Sequence, residues 1–252
     1  MKSINEIKNE FSQVSISEIR GVINKYISDE RKGVKTLISS YQKKYEAYIK
    51  EVNRLEEISQ IESKYYNLGA KYIAGVDEVG RGPLAGPVVA CAVILPRGFK
   101  YEGINDSKKL SSEKRKNLFD IIKDNALAYS IGIVDSKTID EINILNATKE
   151  AMLKAINSLT LKPDVILVDA LNLDTDIKQV SIIKGDERSI SIAAASIVAK
   201  VLRDEMMVVF AEAFPEYGFE SNKGYGSKAH IDAIKGHGAS HLHRKSFIGN
   251  LL

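Results

Sequence analysis

Residues 72–95, YIAGVDEVGRGPLAGPVVACAVIL, constrain this chain more than any other stretch. Two apolar runs, Tyr72 to Val76 and Val88 to Leu95, flank a segment carrying Gly80, Gly82, Gly86, Pro83 and Pro87, a pattern that predicts two strands joined by an irregular turn. The first strand delivers two adjacent acids, Asp77 and Glu78, into that turn. Carboxylates a few ångströms apart resist joint ionisation, so the pair weakens the fold unless a metal ion or a buried arginine meets it. The glycines add a backbone whose N–H groups can approach a ligand closely, because no Cβ stands in the way. Two Gly-rich phosphate motifs do not fit. A P-loop ends in Gly-Lys-Ser/Thr, which is absent here, and the dinucleotide fingerprint needs a tighter glycine spacing than Gly80, Gly82 and Gly86 provide.

Two further predicted strands lead to acids. Residues 164–168 read as a short strand, continuously apolar from Val165 to Val168 and ending at Asp169, as expected of a strand buried on both faces of a helix-covered sheet. Residues 179–183 read as another strand, ending at Gly185-Asp186. If these strands are neighbours, four carboxylates converge. Four negative charges match two divalent cations, and an all-oxygen ligand set selects Mg or Mn over Zn. Such a cluster suits two-metal phosphodiester hydrolysis. The alternative is that each acid caps a helix or faces solvent. Adjacent strand residues also point to opposite faces, so Asp77 and Glu78 share a site only if the chain bends, for which Val79-Gly80 is suited.

Around this centre, residues 1–70 read as an N-terminal helical extension, and residues 71–252 as the main domain with a helical, basic C-terminal tail. Ile16, Ile19, Ile23, Tyr26 and Ile27 share a helical face, and Val34, Ile38, Tyr41, Tyr45, Tyr48, Val52 and Leu55 recur at steps of four and three, predicting a helical hairpin hinged near Asp29 to Gly33. A helix is expected from Ser112 to Asp124, a strand over 127–134, a helix opened by a capping box at Thr138 and Glu141, and a long helix within 189–214. Asp106 and Lys108 either form a loop with its own turn chemistry or border the site. Arg81 could bind phosphate or pair with a carboxylate; Tyr225, on a Gly-rich loop, could stack on a sugar or base or plug the core.

The single cysteine, Cys91, excludes an intrachain disulfide and fits a reducing compartment. A net charge of +3 is compatible with a polyanionic partner without being diagnostic of one. His230, His237, His241 and His243 lack the ligand spacing of structural zinc and read as surface or backbone-bonded residues. No signal peptide or membrane-spanning run is evident, so a cytoplasmic location is expected. No Gly-x-Ser-x-Gly elbow is present to suggest nucleophilic catalysis.

Taken together, GVDEVGRGPLAGPVVACAVIL, NDSKKLS, ILVDA, KGDERSISIAAASIVAKVLRD, NKGYGSKAH and HRKSF resemble bacterial ribonuclease HII, in order from about Tyr72 to Phe247. The resemblance implies a ribonuclease H-like α/β fold with a central five-stranded mixed sheet flanked by helices. It implies a monomer that cuts the RNA strand of RNA–DNA hybrids and incises 5′ of single ribonucleotides in duplex DNA, leaving 3′-OH and 5′-phosphate ends. Carried over residue by residue, its catalytic and metal-binding acids fall on Asp77, Glu78, Asp169 and Asp186, with two Mn2+ or Mg2+ ions as cofactor. Gly80, Arg81 and Gly82 match its substrate-backbone motif, and Tyr225 its sugar-sensing tyrosine. The extension over residues 1–70 exceeds the minimal family core, and its role stays open.

Overall fold

The computed structural model describes residues 1–250 and divides into two compact units, residues 1–57 and a second beginning at Ile58. In the first, α1 (Ile4–Gln13) is opened by a capping box in which Ser3 and Glu6 exchange side-chain-to-backbone hydrogen bonds. It is followed by α2 (Ile19–Tyr26) and α3 (Lys32–Ile58). Ile7, Phe11, Ile19, Ile23, Val34 and Ile38 form one small core, with Tyr41 and Tyr45 packed on it. The Tyr41 ring stacks on Phe11 with centroids 4.6 Å apart. The expected hairpin is therefore extended by a third helix, α1, whose Ile7 and Phe11 complete the apolar face.

The second unit starts with α4 (Gln60–Asn67), a helix that the sequence places in the extension. Five strands follow: β1 (Ile73–Val79), β2 (Val88–Ile94), β3 (Ala128–Val134), β4 (Val165–Asp169) and β5 (Lys178–Ile182). They form one mixed sheet in the order β3-β2-β1-β4-β5. β1 pairs antiparallel with β2, and β2 with β3, whereas β1-β4 and β4-β5 are parallel. Between and after the strands lie α5 (Ser112–Asn125), α6 (Ser136–Asn157), α7 (Gly185–Arg188), α8 (Ile190–Ala213), α9 (Phe219–Asn222), α10 (Lys228–His237) and α11 (Lys245–Ile248).

Side-chain alternation along β1 sorts the two faces. Ala74 and Val76 join the core formed with Ala147, Ala151, Met152 and Ala155 of α6, whereas Ile73 packs with Ile192 of α8. Gly75 permits close approach on the α8 side: a Cβ there would lie 2.1 Å from the Ser191 carbonyl carbon. Among the described residues, no helix is long and apolar enough to cross a membrane.

Two local expectations are corrected. The N-cap of α6 is Asp135, not Thr138; its carboxylate accepts the Thr138 N–H at 2.8 Å, a stronger cap than a hydroxyl one turn later. The helix also breaks at Asn143 (φ 65°), whose side-chain oxygen accepts the N–H groups of Leu145 and Asn146 and so caps the resumed helix. Asp186 does not end a strand either. The left-handed Lys184 (φ 55°) turns the chain out of β5 and into α7, which carries Asp186.

Candidate active site

The parallel pairing of the central strands sets the acids together. β1 and β4 match Ile73 with Val165 and Val76 with Val168. Carried on by one residue, that register sets Asp77 beside Asp169 at the carboxyl ends of both strands. Asp77 is buried, and its Oδ1 accepts the Glu78 N–H at 2.8 Å. Asp169 Oδ1 accepts the Gly185 N–H at 2.6 Å, which draws the turn carrying Asp186 to the end of β4.

The electrostatics record this convergence. Burial, and then the charges of Glu78, Asp169 and Asp186, push the Asp77 carboxyl well above the usual range. Glu78 is raised by burial and by Asp169, against the pull of Arg81. Asp186 is raised by burial, by Asp106 and by Asp169. Burial alone would depress Lys108, but Asp186, Asp106, Asp77 and Asp169 outweigh it and hold its ammonium above the ordinary lysine value. Burial is thus the largest cause at all three acids; mutual repulsion adds to it at Asp77 and Asp186, whereas at Glu78 the pull of Arg81 exceeds the push of Asp169.

Asp77 and Glu78 also line a cavity of about 800 Å³ with Gly80, Arg81, Gly82, Lys108, Lys200 and Tyr225. Both acids lie within β1, paired with Cys91 and Ala90 of β2 rather than in the turn, and both line this space; the chain leaves the sheet after Val79, at Gly80 (φ 92°). Asp169 and Asp186 lie outside the cavity lining, close enough for their charges to act on Asp77. The open question over Asp106 and Lys108 is answered by position: Lys108 lines the cavity, and Asp106 is buried against Asp186. Sequence reasoning did not single out Ser196 and Lys200, which also line it; their helical spacing of four on a helix that packs against β1 is the signal that could have found them.

The glycine loop is held from beneath by two fully buried arginines. Arg244 donates to the carbonyls of Gly80 (2.6 Å), Arg81 (2.9 Å) and Gly86 (2.8 and 3.0 Å). Arg203 donates to those of Pro87 (2.9 Å), Ala85 (3.2 Å) and Lys223 (3.0 Å). Arg81 itself is half-exposed and reaches Glu78 only at 3.5 Å. Gly82 lies under the Tyr225 ring, 3.9 Å from where a Cβ would sit. Tyr225 is 43% exposed, so it does not plug the core.

Its main chain is fixed by histidines. The Ser240 N–H donates to His243 Nδ1 at 3.0 Å, which leaves the His243 proton on Nε2, facing His230 Nε2 at 3.1 Å. His230 then carries its proton on Nδ1, which donates to the Tyr225 carbonyl at 2.8 Å. Both rings are buried, so these two histidines are backbone-bonded core residues, whereas His237 is exposed.

Among the described residues, no group of three or more His, Cys, Asp or Glu side chains is placed to hold a metal ion by itself. The donor set nevertheless fits Mg2+ or Mn2+. Hard cations of this kind are held by one or two carboxylates, with water and substrate phosphate completing the shell. Buried, mutually repelling carboxylates are the groups that such ions would neutralise.

Comparison with known proteins finds relatives along the whole chain. A family model described as Ribonuclease HII matches residues 74–249, and one described as Ribonuclease HII N-terminal domain matches residues 3–66. The chain is 51% identical over 252 residues to a ribonuclease HII of Clostridioides difficile (strain 630), covering 100% of this chain and 99% of that one. The ribonuclease HII in the PCNA:RNase HII complex from Archaeoglobus fulgidus is similar in structure, with a TM-score of 0.58 and 28% identity over 69% of this chain and 93% of that chain. Bst-RNase HIII in complex with Mn2+ shares the fold, with a TM-score of 0.56 and 22% identity over 70% of this chain and 67% of that chain.

Proposed function

The chain belongs to the ribonuclease HII family, nucleases that hydrolyse the RNA strand of RNA–DNA hybrids, and we propose that it also incises 5′ of a single ribonucleotide embedded in duplex DNA. In this reading Asp77, Glu78, Asp169 and Asp186 hold two divalent ions, Mg2+ or Mn2+. Its main support is geometric: the β1–β4 register sets Asp77 beside Asp169, and the Gly185 N–H bond to Asp169 draws in the turn carrying Asp186, next to a cavity that Asp77 and Glu78 line. Negative charge facing a phosphate backbone disfavours simple binding, so a non-catalytic nucleic-acid module has no use for it.

When bound, the ions supply electrostatic stabilisation of the attacking and leaving oxygens of an in-line displacement. The chain's own residues do the rest. Water oxygen joins phosphorus, the P–O3′ bond breaks, and a proton passes to O3′, leaving 3′-OH and 5′-phosphate ends. The Gly80-Arg81-Gly82 backbone, anchored through its carbonyls by Arg244, offers N–H groups to the ribose and phosphate at the cut. The 2′-OH, donor and acceptor at once, distinguishes RNA from DNA and can be read there without sequence bias. Tyr225, exposed above Gly82, meets the sugar beside the junction, and Lys108 and Lys200 attract the strand.

The test uses a duplex carrying one ribonucleotide, with Mn2+ or Mg2+. Cleavage 5′ of the ribonucleotide is expected from the wild type and is lost in Asp169→Asn. Full activity in excess EDTA would refute the metal assignment. Cutting of continuous hybrid with the embedded ribonucleotide left intact would refute the substrate assignment and favour a ribonuclease HIII-like specificity.

A further inference from the structure

We propose that Glu62 of α4 is a positioning residue for this site: it holds the first turn of α8 and, through Gly185, the turn that carries Asp186 against Asp169. The inference rests on the reading of Asp169 and Asp186 as ion-holding residues.

Glu62 is 5% exposed. Its Oε1 accepts two hydrogen bonds from the start of α8, the Ser189 hydroxyl at 2.6 Å and the Ser191 N–H at 3.0 Å. The first amides of a helix have no partner within it. In α8 the Ile192 amide is capped by Ser189 Oγ at 3.2 Å and the Ser191 amide by Glu62, so the helix has a second cap from another helix. A carboxylate there also meets the positive end of the helix dipole.

From this cap the contacts run unbroken to the acids. The Ser189 N–H donates to the Gly185 carbonyl at 2.8 Å. The Gly185 N–H donates to Asp169 Oδ1 at 2.6 Å. Asp186 is the next residue. Gly185 approaches α8 so closely that a Cβ would lie 2.5 Å from Ile192 Cδ1. On its other side, the first turn of α8 rests on β1 at Gly75, two residues before Asp77. Glu62 therefore fixes a turn that touches both strands bearing acids.

Stability alone does not account for an acid here. Glu62 Oε2 is buried without a hydrogen-bond partner among the described residues. A half-satisfied buried carboxylate weakens a fold relative to an apolar side chain of similar size. What the carboxylate contributes is direction. Mutually repelling acids push their carriers apart, and a hydrogen-bonded support keeps the turn bearing Asp186 against Asp169, the two acids that would hold an ion. Glu62 falls within the stretch matched by the N-terminal family model, which gives that segment a part in the chemistry.

The experiment compares wild type with Glu62→Ala, Glu62→Gln and Glu62→Asp in the full chain. It measures Mn2+ affinity without substrate, from the electron paramagnetic resonance of free Mn2+, together with kcat and KM on an RNA–DNA hybrid and thermal unfolding. Loss of a group that orients ligand residues typically costs tenfold or more, so Glu62→Ala is expected to weaken Mn2+ binding and lower kcat by about tenfold, with KM nearly unchanged. Glu62→Gln keeps an oxygen acceptor at Oε1 and is expected to recover both to within about threefold of wild type. Should Glu62→Ala fail to fold, Glu62→Asp carries the test, since its oxygen is withdrawn by about 1.5 Å, one carbon–carbon bond. Folded Ala or Asp variants with wild-type Mn2+ affinity and kcat would overturn the proposal, as would a Gln variant impaired as much as Ala. Asp169→Asn separates the two readings: if it keeps wild-type Mn2+ affinity and cleavage, the site assignment itself fails, whatever Glu62 does.

Discussion

Gly75→Ala adds one methyl group where β1 and α8 are in closest contact. The new Cβ would lie 2.1 Å from the Ser191 carbonyl carbon and 2.2 Å from its oxygen. Real Cβ contacts stay beyond 3.0 Å, so the backbones must separate by about 0.9 Å. Both obstructing atoms are main chain, and no rotamer change can relieve them. Overpacking of this kind typically costs about 3 kcal/mol. For a chain of this length that lowers Tm by roughly 6–12 °C. The displaced turn is the one that bonds Gly185 and holds Asp186, and a 1 Å misplacement of reacting groups can lower turnover by about 100-fold. Gly236→Ala is the control: it lies exposed in α10 with nothing within 4 Å of the added methyl, and should gain up to about 1 kcal/mol. Thermal melts and single-turnover cleavage of a hybrid measure both quantities. A Gly75→Ala protein with unchanged Tm would refute the close approach. Lower Tm with wild-type turnover would refute the transmission to the acids.

Asp77→Asn should abolish cleavage yet raise stability in EDTA, because the folded Asp77 pKa lies above its unfolded value of about 3.9. Its favourable contribution is complete below that value and lost as pH rises through the folded pKa, so the Tm gap between variant and wild type should open from pH 4 toward neutrality. Saturating Mn2+ at neutral pH should narrow it by stabilising the wild type through mass action. Arg244→Met leaves the carbonyls of Gly80, Arg81 and Gly86 without donors, and should cost about 3 kcal/mol in a denaturant titration and raise KM for hybrid. Burial, with His230 second, holds His243 down to about 4, below its unfolded value of about 6.5; its contribution is therefore present above pH 6.5 and lost as pH falls toward 4, a slope that His243→Gln should remove from the stability curve.

Periodicity and chain chemistry made the sheet legible: Val88–Ile94 and Val165–Asp169 are continuous apolar runs, and each became a strand within a residue or two of its expected limits. Asp169 ends the second of these runs, and Asp77 lies two residues before the end of β1, so the register of neighbouring strands brings the two acids side by side. Asp186 was harder to locate, since a left-handed Lys184 redirects the chain into a short helix, and nothing in the side chain of lysine announces a positive φ. Asp106 stayed open because it sits in an irregular turn whose partner, Asp186, lies far along the chain. The break in α6 at Asn143 was not foreseen, as the apolar spacing runs through it. Neither Glu62 nor the two buried arginines could be read as such, because a charged residue on a helical pattern looks solvated until the tertiary fold encloses it.

The two arginines have a consequence for which changes this protein can absorb. Every acceptor they engage in the loop is a peptide carbonyl, a group present whatever amino acid occupies the position. Side chains can therefore drift at exposed positions such as Arg81 without loosening the loop's moorings. Vulnerability is concentrated instead in Arg203 and Arg244, each out of solvent's reach and each serving several acceptors at once. A mutational scan read only for surface-exposed contacts would overlook the two positions at which the glycine loop is easiest to undo.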